Sequence, residues 1–184
     1  MTRLKALSPD KALGKTKDMY NKVHATLGTI PKMVQTMANS PALLEAYLNF
    51  SGALAGGVLN SKTATLIAMT VAESNSCNYC LAVHNYVGEN VLKIDAYTLE
   101  VARNGDSNDP RIEAILKFAK ALVVQRGLID DAEVNNLKEA GVSEAEIAEI
   151  VGNVALNVFT NYFNNTAKTE IDFPVVQPIQ SLRA

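Results

Sequence analysis

The sequence has no tryptophan, two histidines and two cysteines in 184 residues. So few cysteines exclude the disulfide-rich secreted scaffolds, whose cores are too small to stand without cross-links. A chain of this length buries roughly 70% of its surface on folding, so the two thiols are not needed for stability and are free for chemistry. No apolar run approaches the ~20 residues that cross a bilayer, and "MTRLKALSPDKALGK" at the start has no apolar stretch of a secretory signal. No membrane partner is expected, and the cytoplasm is the expected compartment. The 17 basic residues form no dense run and the formal net charge is -2, which argues against a phosphate-tracking, nucleic-acid-binding surface. Tracts rich in glycine or proline, low-complexity segments and internal repeats are missing too. A single domain over residues 1–184 is therefore expected.

Alternating strand patterns are also missing; what is present is helix punctuation. Ser8-Pro9 has the form of a cap followed by proline in the first turn, with Leu13, Met19, Tyr20, Val23 and Leu27 able to share a face until Ile30-Pro31 interrupts. Ser40-Pro41 repeats the signature, and Gly56-Gly57 ends that segment. Ser61 is placed to cap "KTATLIAMTVAES". Asp109-Pro110 opens a segment whose Ile112, Ile115, Leu116, Ala119, Leu122 and Val123 form an apolar stripe before Gly127. Asp130 caps a shorter helix to Ala140. Ser143 with Glu146 makes a capping box for a helix carrying Ile147, Ile150, Val151, Val154 and Val158. The tail "IDFPVVQPIQSLRA", residues 171–184, has two prolines and is expected to run extended, over the surface or onto a neighbouring subunit. The expectation is an all-α domain of seven to eight helices.

Both cysteines lie in "ESNSCNYCLAVH", residues 73–84. Glu73, Cys77, Cys80 and His84 are spaced four, three and four apart, the spacing of one helical face. A break at Asn75-Ser76 would instead start a new helix at Cys77 and set the positive end of its dipole beside the thiols. Either arrangement favours a reactive thiol. A cysteine of pKa ~8.5 is only about 3% thiolate at pH 7, whereas a helix N-terminus or an adjacent imidazolium makes thiolate the majority form. His84 is within reach of Cys80, and Glu73 is a candidate to orient His84 or to take a proton through a water.

Other readings of the four residues are weaker. A Cys77–Cys80 bridge closes too short a loop to stabilise much, on the order of 2 kcal/mol. The four side chains could ligate zinc, but structural zinc sites usually draw paired ligands from separated segments and no second pair exists here. C-type haem attachment needs His directly after the second cysteine, where Leu81 stands. A thioredoxin fold is excluded because its Cys-x-x-Cys follows a strand. No metal or cofactor is expected. Tyr79 is expected to pack away from the sulfurs, His24 to lie on the surface, and Met33, Met37 and Met69 to fill the core.

The segment Ala72–His84, and less specifically "GVSEAEIAEIVGNVALNVFTNYFN", residues 141–164, resembles the carboxymuconolactone decarboxylase superfamily. Within it the chain resembles the AhpD-like alkylhydroperoxidases and their peroxidase-related branch. The decarboxylases proper lack the cysteine pair, which argues against lactone decarboxylation. The resemblance implies an AhpD-like helical domain assembled as a trimer or hexamer. It also implies a thiol-dependent peroxidase, in which Cys80 attacks a hydroperoxide to become a sulfenic acid and Cys77 condenses with it. The disulfide would then be reduced by an external dithiol, dihydrolipoamide-type or thioredoxin-like. His84 matches the proton-relay histidine. The relay glutamate of well-studied members falls at Thr65, and Glu73 matches the acid of the peroxidase-related branch. Two other functions compete: a disulfide oxidoreductase or redox relay without peroxidase turnover, and a non-enzymatic redox-sensing oligomer.

Overall fold

The computed structural model describes residues 1–177 and 179, and among them there are nine α-helices and no strand. They are α1 (Gly14–Leu27), α2 (Lys32–Met37), α3 (Pro41–Ala55), α4 (Ser61–Ser74), α5 (Asn78–Asn90), α6 (Ala96–Ala102), α7 (Pro110–Val124), α8 (Asp131–Glu139) and α9 (Glu144–Ala167). The all-α class is as expected and the number exceeds the seven to eight expected. The short α2 and α6 supply the difference. Their six and seven residues are too few to show a periodic stripe, although Asp95 caps α6 through a hydrogen bond from the Thr98 N–H at 2.9 Å.

Most helix starts sit where local capping chemistry places them. The Ser40 Oγ accepts from the Leu43 N–H, Asp109 from Arg111 and Ile112, and both bonds of the Ser143/Glu146 capping box form. The starts of α1 and α4 differ from expectation. Pro9–Lys11 makes only a 3-10 turn, and α1 begins at Gly14 with no side-chain cap, leaving Leu13 and Leu27 exposed while Met19, Tyr20 and Val23 are buried. Asn60 rather than Ser61 caps α4, its Oδ1 accepting from the Thr63 N–H at 2.9 Å. Val151 of the expected α9 stripe is 44% exposed, while Ile150 and Val154 are buried.

Helix α4 is the central element. Ten of its fourteen residues are buried and it packs on α5, α6, α7 and α9, the pattern of a helix surrounded by others. Gly88 of α5 lets α6 come close, since a Cβ there would stand 2.7 Å from a Leu99 methyl. No helix among the described residues is long and apolar enough to cross a membrane.

Beyond α9 the chain runs without regular structure back over its own helices. Asp172 accepts from the Lys32 N–H at 2.8 Å, and Phe173 packs against the rings of Tyr79 and Tyr86. The extended tail is thus seen over 171–177 and lies on its own chain. Residues 178 and 180–184 of the expected tail are outside those described.

Candidate functional site

Helix α4 ends at Ser74, and the chain turns through Asn75 and Ser76 before α5 begins at Asn78. The turn is made by Ser76 at φ 51°, a left-handed conformation unusual for serine, with the Ser76 N–H on the Glu73 carbonyl at 2.9 Å and the Cys77 N–H on the Ala72 carbonyl at 2.9 Å. Of the two arrangements open in the sequence, the broken one forms, so Glu73 does not share a helix with the other three. Asn75 and Ser76 are not the cap. Cys77 itself is the N-cap of α5, its sulfur accepting from the Cys80 N–H at 3.3 Å.

Cys77 and Cys80 are joined as a disulfide with their Cα atoms 5.3 Å apart. Both are buried, 0% and 2% exposed. The Cys80 sulfur also accepts from Asn164 Nδ2 at 3.4 Å, and the same amide reaches Met33 Sδ at 3.2 Å. The helix N-terminus points at Cys77, so its dipole and free N–H groups stabilise a thiolate there more than at Cys80.

His84 is one turn beyond Cys80 on α5, half-buried, and its pKa is pushed down to about 4 by loss of water, partly opposed by the side chain of Asn157. Asn157 gives its Nδ2 to the Asn153 carbonyl at 2.9 Å, which leaves its Oδ1 for an imidazole N–H. The imidazole is then neutral at pH 7, with its second nitrogen able to accept a proton. The imidazolium considered as a route to a standing thiolate is disfavoured by this burial, and His84 is suited instead to take the thiol proton as it leaves.

Glu73 is 4% exposed and occupied on both oxygens. Arg103 Nε donates to Oε2 at 2.7 Å, with Nη2 in ion-pair contact with the same oxygen at 2.7 Å, and the Ile179 N–H donates to Oε1 at 3.1 Å. Arg103 also donates to the Gln177 carbonyl at 2.7 Å. This buried ion pair therefore ties α4, the end of α6 and the C-terminal segment together just before the cysteine turn. Neither Glu73 oxygen is hydrogen-bonded to His84. Thr65, at the position where the resemblance places a relay glutamate in other members, is buried in α4.

Tyr79 packs as expected. Its ring meets Phe173 edge-on at 6.3 Å, its hydroxyl accepts from the Met33 N–H at 3.1 Å, and burial holds its phenol pKa far above normal, with Asp172 nearby adding to the shift. His24 lies on the surface, while Met37 and Met69 are fully buried. Among the described residues no group of three or more His, Cys, Asp and Glu converges as a metal-ligand set.

The apolar stripe hid the other polar members of the site. Asn153, Asn157, Asn161 and Asn164 are all buried on α9, and their spacing of four, four and three in "GNVALNVFTNYFNN" is the signal that would have found them. Arg103 carried no such signal, because its partner is thirty residues away.

Residues 41–91 match the model of the Carboxymuconolactone decarboxylase family, a segment that includes both cysteines and His84. Similar solved structures include the alkylhydroperoxidase AhpD core of a peroxidase-related protein from Ralstonia eutropha JMP134. It has TM-score 0.84 and 19% identity, with 93% of this chain and 92% of that one covered. A peroxidase-related protein from Silicibacter sp. TM1040 gives 0.81 and 21%, over 92% and 91%. The debrominase Bmp8 gives 0.79 and 20%, over 94% and 93%, and has also been solved in complex with 2,3,4-tribromopyrrole. No curated protein sequence matches the chain.

Proposed function

We infer that this chain, AhpD-like in fold and with the carboxymuconolactone decarboxylase family pattern over residues 41–91, is a thiol-dependent peroxidase cycling between a Cys77/Cys80 dithiol and its disulfide. The observation that carries this reading is the pair itself: two sulfurs bonded at the N-terminus of α5, with a neutral histidine one turn beyond. In the reduced form His84 takes the Cys80 proton and the thiolate attacks the outer oxygen of a hydroperoxide. The S–O bond forms as the O–O bond breaks, and the departing alkoxide takes the proton from His84. Cys77, whose thiolate the helix N-terminus favours, then attacks the Cys80 sulfenic sulfur. The S–S bond forms and water leaves with the proton of Cys77. Two thiols and one hydroperoxide thus give a disulfide, an alcohol and water, and an external dithiol restores the thiols by exchange.

The burial of both sulfurs favours a small hydroperoxide and a small dithiol of the dihydrolipoamide type over a folded thioredoxin-like partner. Glu73 is proposed to act at the site as well, but relaying a proton directly would require its ion pair with Arg103 to open. Assembly as a trimer or hexamer is part of the same reading. It is supported by α3, in which Leu44 alone is buried although most of the helix is apolar.

The test is hydroperoxide consumption with excess dithiol. Repeated turnover is expected in the unmodified chain and none in Cys80→Ser; full activity in that variant overturns the assignment. Disulfide exchange without peroxide turnover would instead mark a disulfide oxidoreductase. A single stoichiometric oxidation would mark a sensor.

A further inference from the structure

Buried amides are tolerated when their donors and acceptors are met within the fold. Two of the four on α9 give their Nδ2 groups to backbone carbonyls one turn back, Asn153 to Glu149 at 2.8 Å and Asn157 to Asn153 at 2.9 Å. The other two are each half-met. Asn161 is fully buried, and its Oδ1 accepts from Asn75 Nδ2 at 3.0 Å, which fixes the amide and leaves its own Nδ2 without a partner among the described residues. Asn164 is 2% exposed. Its Nδ2 is turned to the sulfurs of Met33 and Cys80, and its Oδ1 has no partner.

An unmet donor and an unmet acceptor therefore lie one helical turn apart on α9, the acceptor on the residue whose Nδ2 meets the Cys80 sulfur. Each is desolvated without return, a cost a fold retains where something else is to fill it. The group that answers both at once is an oxygen able to accept one hydrogen bond and donate another, as a water does at rest and a hydroxyl does when it displaces that water. The outer oxygen of a hydroperoxide has this character, and so does the oxygen of a sulfenic acid.

We propose that Asn161 and Asn164 form a hydroxyl-holding subsite beside Cys80, in which Asn161 Nδ2 donates to the outer oxygen of the hydroperoxide and Asn164 Oδ1 accepts its hydrogen. The inference rests on the peroxidase reading above. The subsite holds the oxygen that the Cys80 thiolate attacks, and after the O–O bond breaks the same two amides hold that oxygen as the sulfenic hydroxyl. Asn75, by fixing Asn161, is a positioning residue. The subsite selects oxidants with a terminal O–H and does nothing for electrophiles that lack one.

The test uses the full chain with Cys77→Ser, so that oxidised Cys80 is not resolved, with and without Asn161→Leu. Each reduced protein is mixed with tert-butyl hydroperoxide or with methyl methanethiosulfonate, an electrophile without a hydroxyl, and Cys80 modification is followed by intact mass. Loss of the Asn161 donor is expected to slow the peroxide reaction at least about tenfold and to leave the thiosulfonate reaction within about twofold. Equal slowing of both reactions would mean thiol activation or packing, and an unchanged peroxide rate would mean no subsite; either overturns the proposal. If Cys80 with Asn161 intact does not react with peroxide, the peroxidase reading fails and takes the subsite with it. Should Asn161→Leu not fold by circular dichroism, Asn161→Ala serves in the same comparison.

Discussion

At the residue scale the site depends on how burial treats charge. The Glu73–Arg103 pair is almost fully withdrawn from water, and removing one partner of such a pair leaves the other charge unmatched, at a cost of about 3–5 kcal/mol. Glu73→Ala is therefore expected to lower the denaturant midpoint strongly. Glu73→Gln with Arg103→Met, which removes both charges, is expected to recover most of that loss. The double variant also separates two roles for Glu73: stability and turnover both recover if the carboxylate only supports the turn, whereas stability alone recovers if it relays protons. His84 gives a second expectation. With its pKa near 4 in the fold and about 6.5 unfolded, the unfolded chain binds the extra proton first, so stability is full above pH 6.5 and falls as pH drops from 6.5 towards 4. The ceiling is about 3 kcal/mol, and the loss is smaller because the residue is only half-buried. Denaturant midpoints should fall between pH 7 and 5 and become flatter in His84→Asn. Glu146, held down to about 2 first by the Ser143 backbone N–H and then by Arg111, is lost only as pH falls from about 4.5 towards 2, outside that range.

At the scale of elements, the decisive feature is the turn between α4 and α5. Ser76 holds a left-handed conformation that costs a residue with a Cβ about 1 kcal/mol. Ser76→Gly should therefore raise the melting temperature slightly and Ser76→Val should lower it, both measurable by thermal unfolding with the disulfide intact. A Ser76→Val chain at least as stable as the parent would show that the turn is not strained. The turn makes Cys77 a cap instead of a mid-helix residue, and that sets the two cysteines apart chemically. Helix α9 is the opposing wall, and its polar face explains why a 24-residue helix in the core carries four buried asparagines.

At the scale of the whole molecule, α5, α6, α7 and α9 pack around α4, and the C-terminal segment returns to the Glu73–Arg103 pair. The apolar helix α3 buries only Leu44, and Phe50 on it is 41% exposed; on α9, Val151 is 44% and Tyr162 61% exposed. Self-association through such surfaces predicts a sedimentation mass several times the 19.8 kDa of one chain, reduced by Phe50→Glu. A monodisperse 19.8 kDa species would refute the proposed trimer or hexamer.

The sequence by itself determined the helical class, the starts of α3, α7, α8 and α9, and the spacing that sets Cys77, Cys80 and His84 about one turn apart. These rest on hydrogen bonds and spacings that reach no more than about four residues along the chain: Ser40 to Leu43, Ser143 with Glu146, Cys80 to His84. Only the tertiary structure decided that Glu73 is bound to Arg103, that burial lowers the pKa of His84, and that Asn164 meets the Cys80 sulfur while Asn161 meets Asn75. Each of these depends on groups brought together from distant parts of the chain, or on water removed by helices packing around them; the asparagine spacing marks a polar face on α9 but not what that face meets.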